Sequence, residues 1–279
     1  MDDKEYSQLK TTILKLIDID LEGYKSHQMR RRLEGFIARS KEPNVDSYCK
    51  MLEINGDSLT KLRDFLTINV SEFFRDKEQF DVLSTHILPD LLRRSRRLNI
   101  WSAGCSHGAE PYSVAILLNE LTPNQKHRIL ATDIDNVVLT KARAGGPYTQ
   151  SDIKNVKHHI ITKYFTESDA GYKVADWLKQ KVEFKQHNLF KDPFETGFDM
   201  IICRNVVIYF SDEFKNKLYQ GFYNSLKGNG IFFSGGTETL LGCYDFKFTR
   251  LHTSFHQKPA SSTPLVNNNN VRDVSGVKR

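Results

Sequence analysis

The sequence predicts an α/β fold in which a mainly parallel sheet follows an N-terminal helical domain, with a small antiparallel β-subdomain inserted late in the sheet. Three observations carry this. Apolar residues recur at spacings of three and four as far as about Val82. Beyond it, short apolar runs alternate with amphipathic stretches, the texture of strands joined by crossover helices. Residues 171–187 then break that alternation with two short strand-like runs around a turn.

In chain order, Leu9, Ile13, Leu16, Ile17, Leu21, Tyr24, Met29, Leu33, Phe36 and Ile37 keep helical spacing, so residues 1–82 are expected to be a helical domain with its linker. Buried strands are expected at Leu98–Ser102, Ile129–Thr132, Met200–Cys203 and Ile231–Ser234, with helices at Ala109–Leu121, Val137–Ala144 and Asp212–Leu226. The last helix starts behind Ser211, an N-cap followed by acidic residues, and stops at Lys227-Gly228-Asn229-Gly230. Tyr172–Val174 and Val182–Lys185 are expected to pair as the inserted hairpin. Lys247–Leu251 with Ser254–Gln257 is expected as a terminal hairpin, ending a sheet domain of residues 83–258. Residues 259–279 lack aromatic side chains and contain four consecutive asparagines, the composition of a disordered tail.

Composition narrows the function classes. Of 279 residues, 39% are hydrophobic and 27% charged, which supports a buried core and excludes a wholly disordered chain. The charged amino terminus has no apolar signal region, and no run of about 18 apolar residues occurs, so a cytoplasmic protein without membrane insertion is expected. Cys49, Cys105, Cys203 and Cys243 are widely spaced, so neither a metal site nor a disulfide framework is expected. The excess of 40 basic over 34 acidic residues suits an acidic partner without specifying one.

A strand ending near Ser102, a turn containing Gly104 and Gly108, and a helix from Ala109 aim backbone amides at a helix N-terminus, a Rossmann-like arrangement. Gly104, Ser106 and Ala109 stand where a dinucleotide fingerprint has three glycines, so close approach of a pyrophosphate is partly blocked. Asp133 ends the second strand beside this loop, where a carboxylate can accept hydrogen bonds from both hydroxyls of a ribose; Asp135 either shares that role or caps the next helix. Glu110 lies in the first turn of the loop's helix. It either stabilises the helix dipole or holds a ligand's ammonium group.

At these residues the sequence resembles the chemotaxis receptor methyltransferases, bacterial enzymes that esterify glutamate side chains of chemoreceptors. The resemblance runs to about Lys258 and rests on four blocks: Thr67-Ile68-Asn69-Val70-Ser71-Glu72-Phe73-Phe74-Arg75, Trp101 to Ser113, Ala131-Thr132-Asp133-Ile134-Asp135, and Cys203-Arg204-Asn205-Val206-Val207-Ile208-Tyr209-Phe210. It implies S-adenosylmethionine as cofactor, leaving S-adenosylhomocysteine. It further implies contacts from Asn69, Ser71, Arg75, Gly104, Glu110, Asp133, Asn188, Leu189, Arg204 and Asn205, and places Arg75 and Tyr209 beside the transferred methyl as catalytic residues. Two departures mark the loop: Ala109 where the family usually has a second glutamate, and His107 where it has a small hydroxyl residue. His107 either faces the ligand or, the commoner case for histidine, is an exposed loop residue; exposure is expected.

The chemistry so implied needs no general base, because a glutamate carboxylate is ionised at neutral pH; it needs alignment and a few directed donors. Methylation of nucleic-acid bases is disfavoured, since Asn205 is followed by Val-Val-Ile rather than by Pro-Pro and an aromatic residue. Cys203 has no preceding proline and reads as a buried structural thiol.

Lys25, Arg32 and Arg39 recur every seven residues, with Arg30 and Arg31 beside the middle one. This basic stripe is either a solvated face or a dock for an acidic helix. The resemblance supplies such a helix, the cytoplasmic coiled coil of membrane chemoreceptors, with the enzyme acting as a monomer. The segment around 171–185 corresponds to the family's β-subdomain; with only Gly171 in it, recognition independent of a receptor tail is expected, and Trp177 is either an anchor or part of the hairpin core. The alternatives are a methyltransferase of the same fold acting on another protein or a small carboxylate, and a degenerate adaptor that binds cofactor or receptor.

Overall fold

The computed structural model describes residues 1–67, 70–236 and 247–260. The chain opens with α1 (Asp3–Ile17), α2 (Ser26–Ile37), α3 (Val45–Ile54) and α4 (Gly56–Thr67). Asp2 and Glu5 form a reciprocal capping box at the start of α1, satisfying two of the amides that a helix leaves unpaired. Leu9 and Ile13 of α1, Leu33 of α2, Leu52 of α3 and Leu62 of α4 meet in one core. Leu9, Ile13, Leu33 and Leu62 are fully buried, so truncating any to alanine would cost about 2–5 kcal/mol.

That core ends with Leu66, while Phe73 and Phe80 already belong to the core of the sheet domain. The linker and α5 (Lys77–Val82), expected to go with the helical domain, therefore pack on the sheet. A single π-helical turn joins α5 to α6 (Leu88–Arg94).

The sheet follows as β1 (Asn99–Ala103), α7 (Ala109–Leu121), β2 (Arg128–Asp133), α8 (Asn136–Ala144) and α9 (His158–Tyr164). Then come β3 (Phe165–Ser168), β4 (Gly171–Val174), α10 (Asp176–Lys179), β5 (Val182–Gln186), β6 (Phe198–Cys203), α11 (Asp212–Ser225), β7 (Leu226–Ser234), β8 (Thr249–His252) and β9 (Phe255–Gln257). The seven strands lie in the order β5-β2-β1-β6-β7-β9-β8, parallel through β7 and antiparallel at β9 and β8. The order turns back at β1, with β2 on one side and β6 on the other, and ligands of such sheets sit outside the carboxyl ends of the strands at that switch.

An inserted antiparallel β-subdomain is present as expected, but its strands are not the expected pair. Its hairpin is β3 with β4, while Val182–Gln186 pairs with β2 as a parallel edge strand of the main sheet. The alternation of Val182 buried, Glu183 exposed and Phe184 half-buried is that of an edge strand, and it reads from sequence like either arm of a hairpin. Gly171 has φ +112°, and a Cβ there would come within 2.4 Å of the Tyr148 carbonyl oxygen. Trp177 lies outside the hairpin, on α10, 42% exposed, with its ring 5.3 Å from that of Tyr164. The terminal hairpin forms as expected; the stretch read as a tail lies outside the described residues after Ala260. Among the described residues, no helix is long and apolar enough to cross a membrane.

Candidate functional site

A cleft of about 1000 Å³, part of it open to solvent, lies at the carboxyl ends of β1, β2 and β6 beneath the linker between domains. That size suits a small-molecule site. Its floor follows from the loop after β1. Gly104 has φ +80°, and a Cβ there would fall 2.5 Å from the Val206 side chain, so the chain can turn here only without one. Ser106, with φ +50°, aims its amide at Asp133, donating to Oδ2 at 2.8 Å, while the Asp135 amide donates to Oδ1 at 3.0 Å. Asp133 is buried, and that burial pushes its carboxyl up to about 6 against the pull of these two amides. Asp135 accepts from the Val137 amide at 2.9 Å and so caps α8.

Glu110 lines the same cleft as Asp133. Burial raises its carboxyl, opposed by the Arg204 guanidinium at 3.4 Å and by a 2.8 Å hydrogen bond from the Ser102 hydroxyl. Arg204, with 2% of its side chain exposed, donates to Asp76 at 2.6 Å and to the Arg75 carbonyl at 3.1 Å, and lies over the Phe233 ring. It ties the linker to the sheet as well as facing the cleft. Asn205 follows in the left-handed region, φ +59°, where asparagine is one of the few side chains that sit comfortably.

The linker forms a strap over this floor. Ser71, Glu72 and Arg75 line the cleft; Asn69 lies outside the described residues. Phe73 donates its amide to the Asp152 carbonyl at 2.8 Å, Phe74 to the Ser113 hydroxyl at 3.0 Å, and Arg75 Nη1 to the Val70 carbonyl at 2.9 Å. On the far wall, the Asn188 carboxamide accepts from the Phe190 amide at 3.0 Å, which shapes a turn that brings Leu189 and Phe190 to the cleft.

Tyr209 lines the mouth. Its carbonyl accepts the Lys25 amide at 3.0 Å, and Tyr24 bridges to Phe210, so the start of α2 is stitched to the segment after β6. The Arg32 guanidinium lies 5.5 Å from the centre of the Tyr209 ring and donates to the Phe65 carbonyl at 2.9 Å. The basic stripe thus divides. Arg30 pairs with Asp3 at 2.7 Å and serves the helical domain's own structure, while Arg31 and Arg39 are exposed.

His107 corrects an expectation: it is buried, with 9% of its side chain exposed and Nε2 3.0 Å from the Ser71 carbonyl. The loop folds under the strap, which nothing local in the sequence announces. Cys203 ends β6 fully buried, and Cys105 is buried with its thiol pushed up by that burial, so neither is poised as a nucleophile. Sequence reasoning missed Tyr24, Ile134, His187, Phe190, Val206 and Phe210 as lining residues. His187 is no free base: its Nε2 faces the Pro193 carbonyl at 3.4 Å, and burial holds it below the usual imidazole range.

Strand order, a glycine turn at the switch point and an acidic residue closing β2 define a nucleotide-binding α/β protein whose helical domain caps the cleft. Residues 69–254 match the family model described as CheR methyltransferase, SAM binding domain, and residues 4–67 match CheR methyltransferase, all-alpha domain. The chain belongs to the CheR methyltransferase family, and S-adenosylmethionine is its cofactor. It is 35% identical over 257 residues to a chemotaxis protein methyltransferase of Listeria innocua, covering 92% of this chain and 98% of that one. A chemotaxis protein methyltransferase of Borreliella burgdorferi is also 35% identical, over 85% of this chain and 89% of its own. Among solved structures, PKMT2 from Rickettsia typhi in complex with AdoHcy aligns with TM-score 0.32 at 20% identity, over 49% of this chain and 20% of that one.

Proposed function

We propose that this methyltransferase esterifies glutamate side chains on the cytoplasmic helical part of bacterial chemoreceptors, forming methyl esters for chemotactic adaptation. The observation that carries it is the chemistry of the cleft mouth. Arg75 and Tyr209 stand there as donors, while His187, the one histidine lining the cleft among the described residues, is turned to a carbonyl and depressed in basicity. Such a mouth suits a nucleophile that arrives already ionised, as a glutamate carboxylate does at neutral pH. The names of the relatives, chemotaxis protein methyltransferases, support the receptor as substrate.

The donor set of the cleft fits the cofactor. Asp133 keeps acceptor capacity on both oxygens beyond the two amides it holds, as vicinal ribose hydroxyls require. Glu110 is a buried carboxylate suited to the ammonium group of the methionine part, Ser71 and Asn205 line the same cleft, and Leu189 with Phe190 offers the flat adenine an apolar wall. The contact expected of Asn69, which lies outside the described residues, and the ligating roles of Gly104, Asn188 and Arg204 belong to the same proposal.

Bound there, the sulfonium supplies an electrophilic methyl group. What the chain supplies is position. Arg75, whose Nη1 also donates to the Val70 carbonyl, orients the incoming carboxylate with its remaining N–H groups, and Tyr209 contributes its hydroxyl at the same mouth. Arg31 and Arg39, exposed on the helical domain, steer an acidic helix toward that mouth. The enzyme is expected to act as a cytoplasmic monomer.

The test is to incubate the protein with receptor-bearing membranes and methyl-labelled cofactor, then treat with mild base. Label released as methanol is expected; base-stable label would exclude the ester, and no label despite measurable cofactor binding would point to a cofactor- or receptor-binding adaptor.

A further inference from the structure

We infer that His107 is a positioning residue: a neutral imidazole that latches the strap to the cofactor loop and thereby holds Ser71 in place over the cleft. The proposal rests on the cleft being the cofactor site. It starts from a division of labour along the strap. Glu72 is held by Lys154 at 2.6 Å and by Asn155 at 3.0 Å, Phe73 by the Asp152 carbonyl, and Phe74 by Ser113. Ser71, by contrast, is held among the described residues only through its carbonyl, and only by His107 Nε2 at 3.0 Å.

The imidazole is itself fixed from the other side. Its main-chain carbonyl accepts the Tyr148 hydroxyl at 2.8 Å, and its ring lies 5.5 Å from the Tyr148 ring. Nδ1 is buried and has no partner among the described residues, so a proton there would be unsatisfied. The form the site favours is therefore the neutral tautomer carrying its proton on Nε2, the nitrogen that faces the Ser71 carbonyl acceptor. Burial and Lys141 both hold the ring below the usual imidazole range, against the opposing Asp152 carboxylate 3.9 Å away. Since Ser106, the neighbour of His107, donates to Asp133, the latch joins the strap to the same loop that sets the ribose-side carboxylate.

The consequence is specific. Removing the donor leaves the cleft's floor intact but frees the end of the strap that carries Ser71, so cofactor affinity falls while the catalytic rate at saturation changes little. His107→Gln keeps a neutral N–H at about the reach of Nε2; His107→Met fills the space without one. Calorimetric binding of S-adenosylhomocysteine at pH 7.5, together with KM and kcat for the cofactor, separates the cases.

The expected result for His107→Met is a Kd and KM raised about 5- to 10-fold, the size of one neutral hydrogen bond, with binding stoichiometry and kcat unchanged and faster amide exchange confined to residues 70–72. His107→Gln should restore both constants to within about 2-fold. Should His107→Met fail to fold, Tyr148→Phe, which removes only the hydroxyl bracing the loop, should raise Kd in the same direction. Equal affinity in wild type and all variants would overturn the latch, as would a loss of kcat at unchanged KM. Absence of binding by the wild type would instead overturn the cofactor cleft and the latch with it.

Discussion

If Asp133 holds the ribose, as proposed, a single proton on it should link the fold's stability to cofactor binding. Burial raises its carboxyl from 3.8 to about 6, so the unliganded protein holds this carboxylate ionised at neutral pH at a cost of about 3 kcal/mol, two pKa units at about 1.4 kcal/mol each. Because the folded value lies above the unfolded one, this contribution to stability is fully present below about pH 4 and is lost as pH rises through 6. Binding runs the other way. Ribose hydroxyls need the ionised acceptor, so cofactor affinity should be level above pH 7 and weaken as pH falls, reaching about 10-fold at pH 5 for a group titrating near 6. Asp133→Asn should abolish this limb. It retains one acceptor and turns its amide nitrogen toward a backbone N–H, so binding should weaken about 10- to 100-fold at neutral pH. Calorimetry with S-adenosylhomocysteine from pH 5 to 8 measures both quantities. Because Glu110, His107 and His187 remain in the variant, it also controls for their titration. A wild-type affinity independent of pH, or a variant with the wild-type slope, would refute the assignment of Asp133 as the ribose acceptor.

Other outcomes follow from the same geometry. Tyr209→Phe and Arg75→Lys should each lower kcat, by about 10- to 100-fold, while S-adenosylhomocysteine affinity stays within about 3-fold for Tyr209→Phe; the check is steady-state kinetics beside calorimetry. Arg204→Met should destabilise the fold by about 3–5 kcal/mol in urea unfolding, since it leaves Glu110 buried without its cation and cuts the tie to Asp76. Reversing both Arg31 and Arg39 to glutamate should slow methylation of receptor membranes at low salt by about 10-fold or more and leave cofactor binding alone, whereas Arg30→Glu, which breaks the pair with Asp3, should act on stability. Initial rates at two ionic strengths distinguish the two.

The periodicities were enough to locate α7, β1, β2 and β6 within a residue or two, because a parallel sheet buries both faces and leaves unbroken apolar runs. The fourth strand starts five residues ahead of its expected Ile231: β7 takes in Leu226 and the Lys227-Gly228-Asn229-Gly230 stretch read as the stop of the last helix, and its exposed polar start hides the strand from an apolar pattern. Nor were the periodicities enough for β5, an edge strand that alternates and so carries no mark of which strand it will join. The site divides along the same line. Residues at the ends of strands and the starts of helices, Gly104, Glu110 and Asp133, are legible because their place in the fold follows from local pattern. Tyr24 and His107 are not. Tyr24 enters the cleft from the helical domain through its bridge to Phe210, and His107 is buried by a strap more than 30 residues away in the chain, so both depend on how the domains close. The basic stripe shows the reverse failure: its seven-residue spacing is real, yet Arg30 is taken up by Asp3 and Arg32 turns to Phe65 and Tyr209.

Four non-glycine residues in the left-handed region, Phe74, Asp76, Ser106 and Asn205, border the cleft or form its strap. Asn205 separates backbone need from side-chain contact most cleanly. If only its φ of +59° matters, glycine should serve as well as asparagine, and alanine should cost about 1–2 kcal/mol of stability. If its carboxamide also meets the cofactor, glycine should fold as the wild type does yet bind S-adenosylhomocysteine about 5- to 10-fold more weakly, the loss of one hydrogen bond. The second outcome is expected, because Asn205 is among the residues that line the cleft. Unfolding and calorimetry on Asn205→Gly and Asn205→Ala decide it: a glycine variant that binds like wild type would reduce Asn205 to a turn residue and move the donor role at that end of the cleft to Ser71.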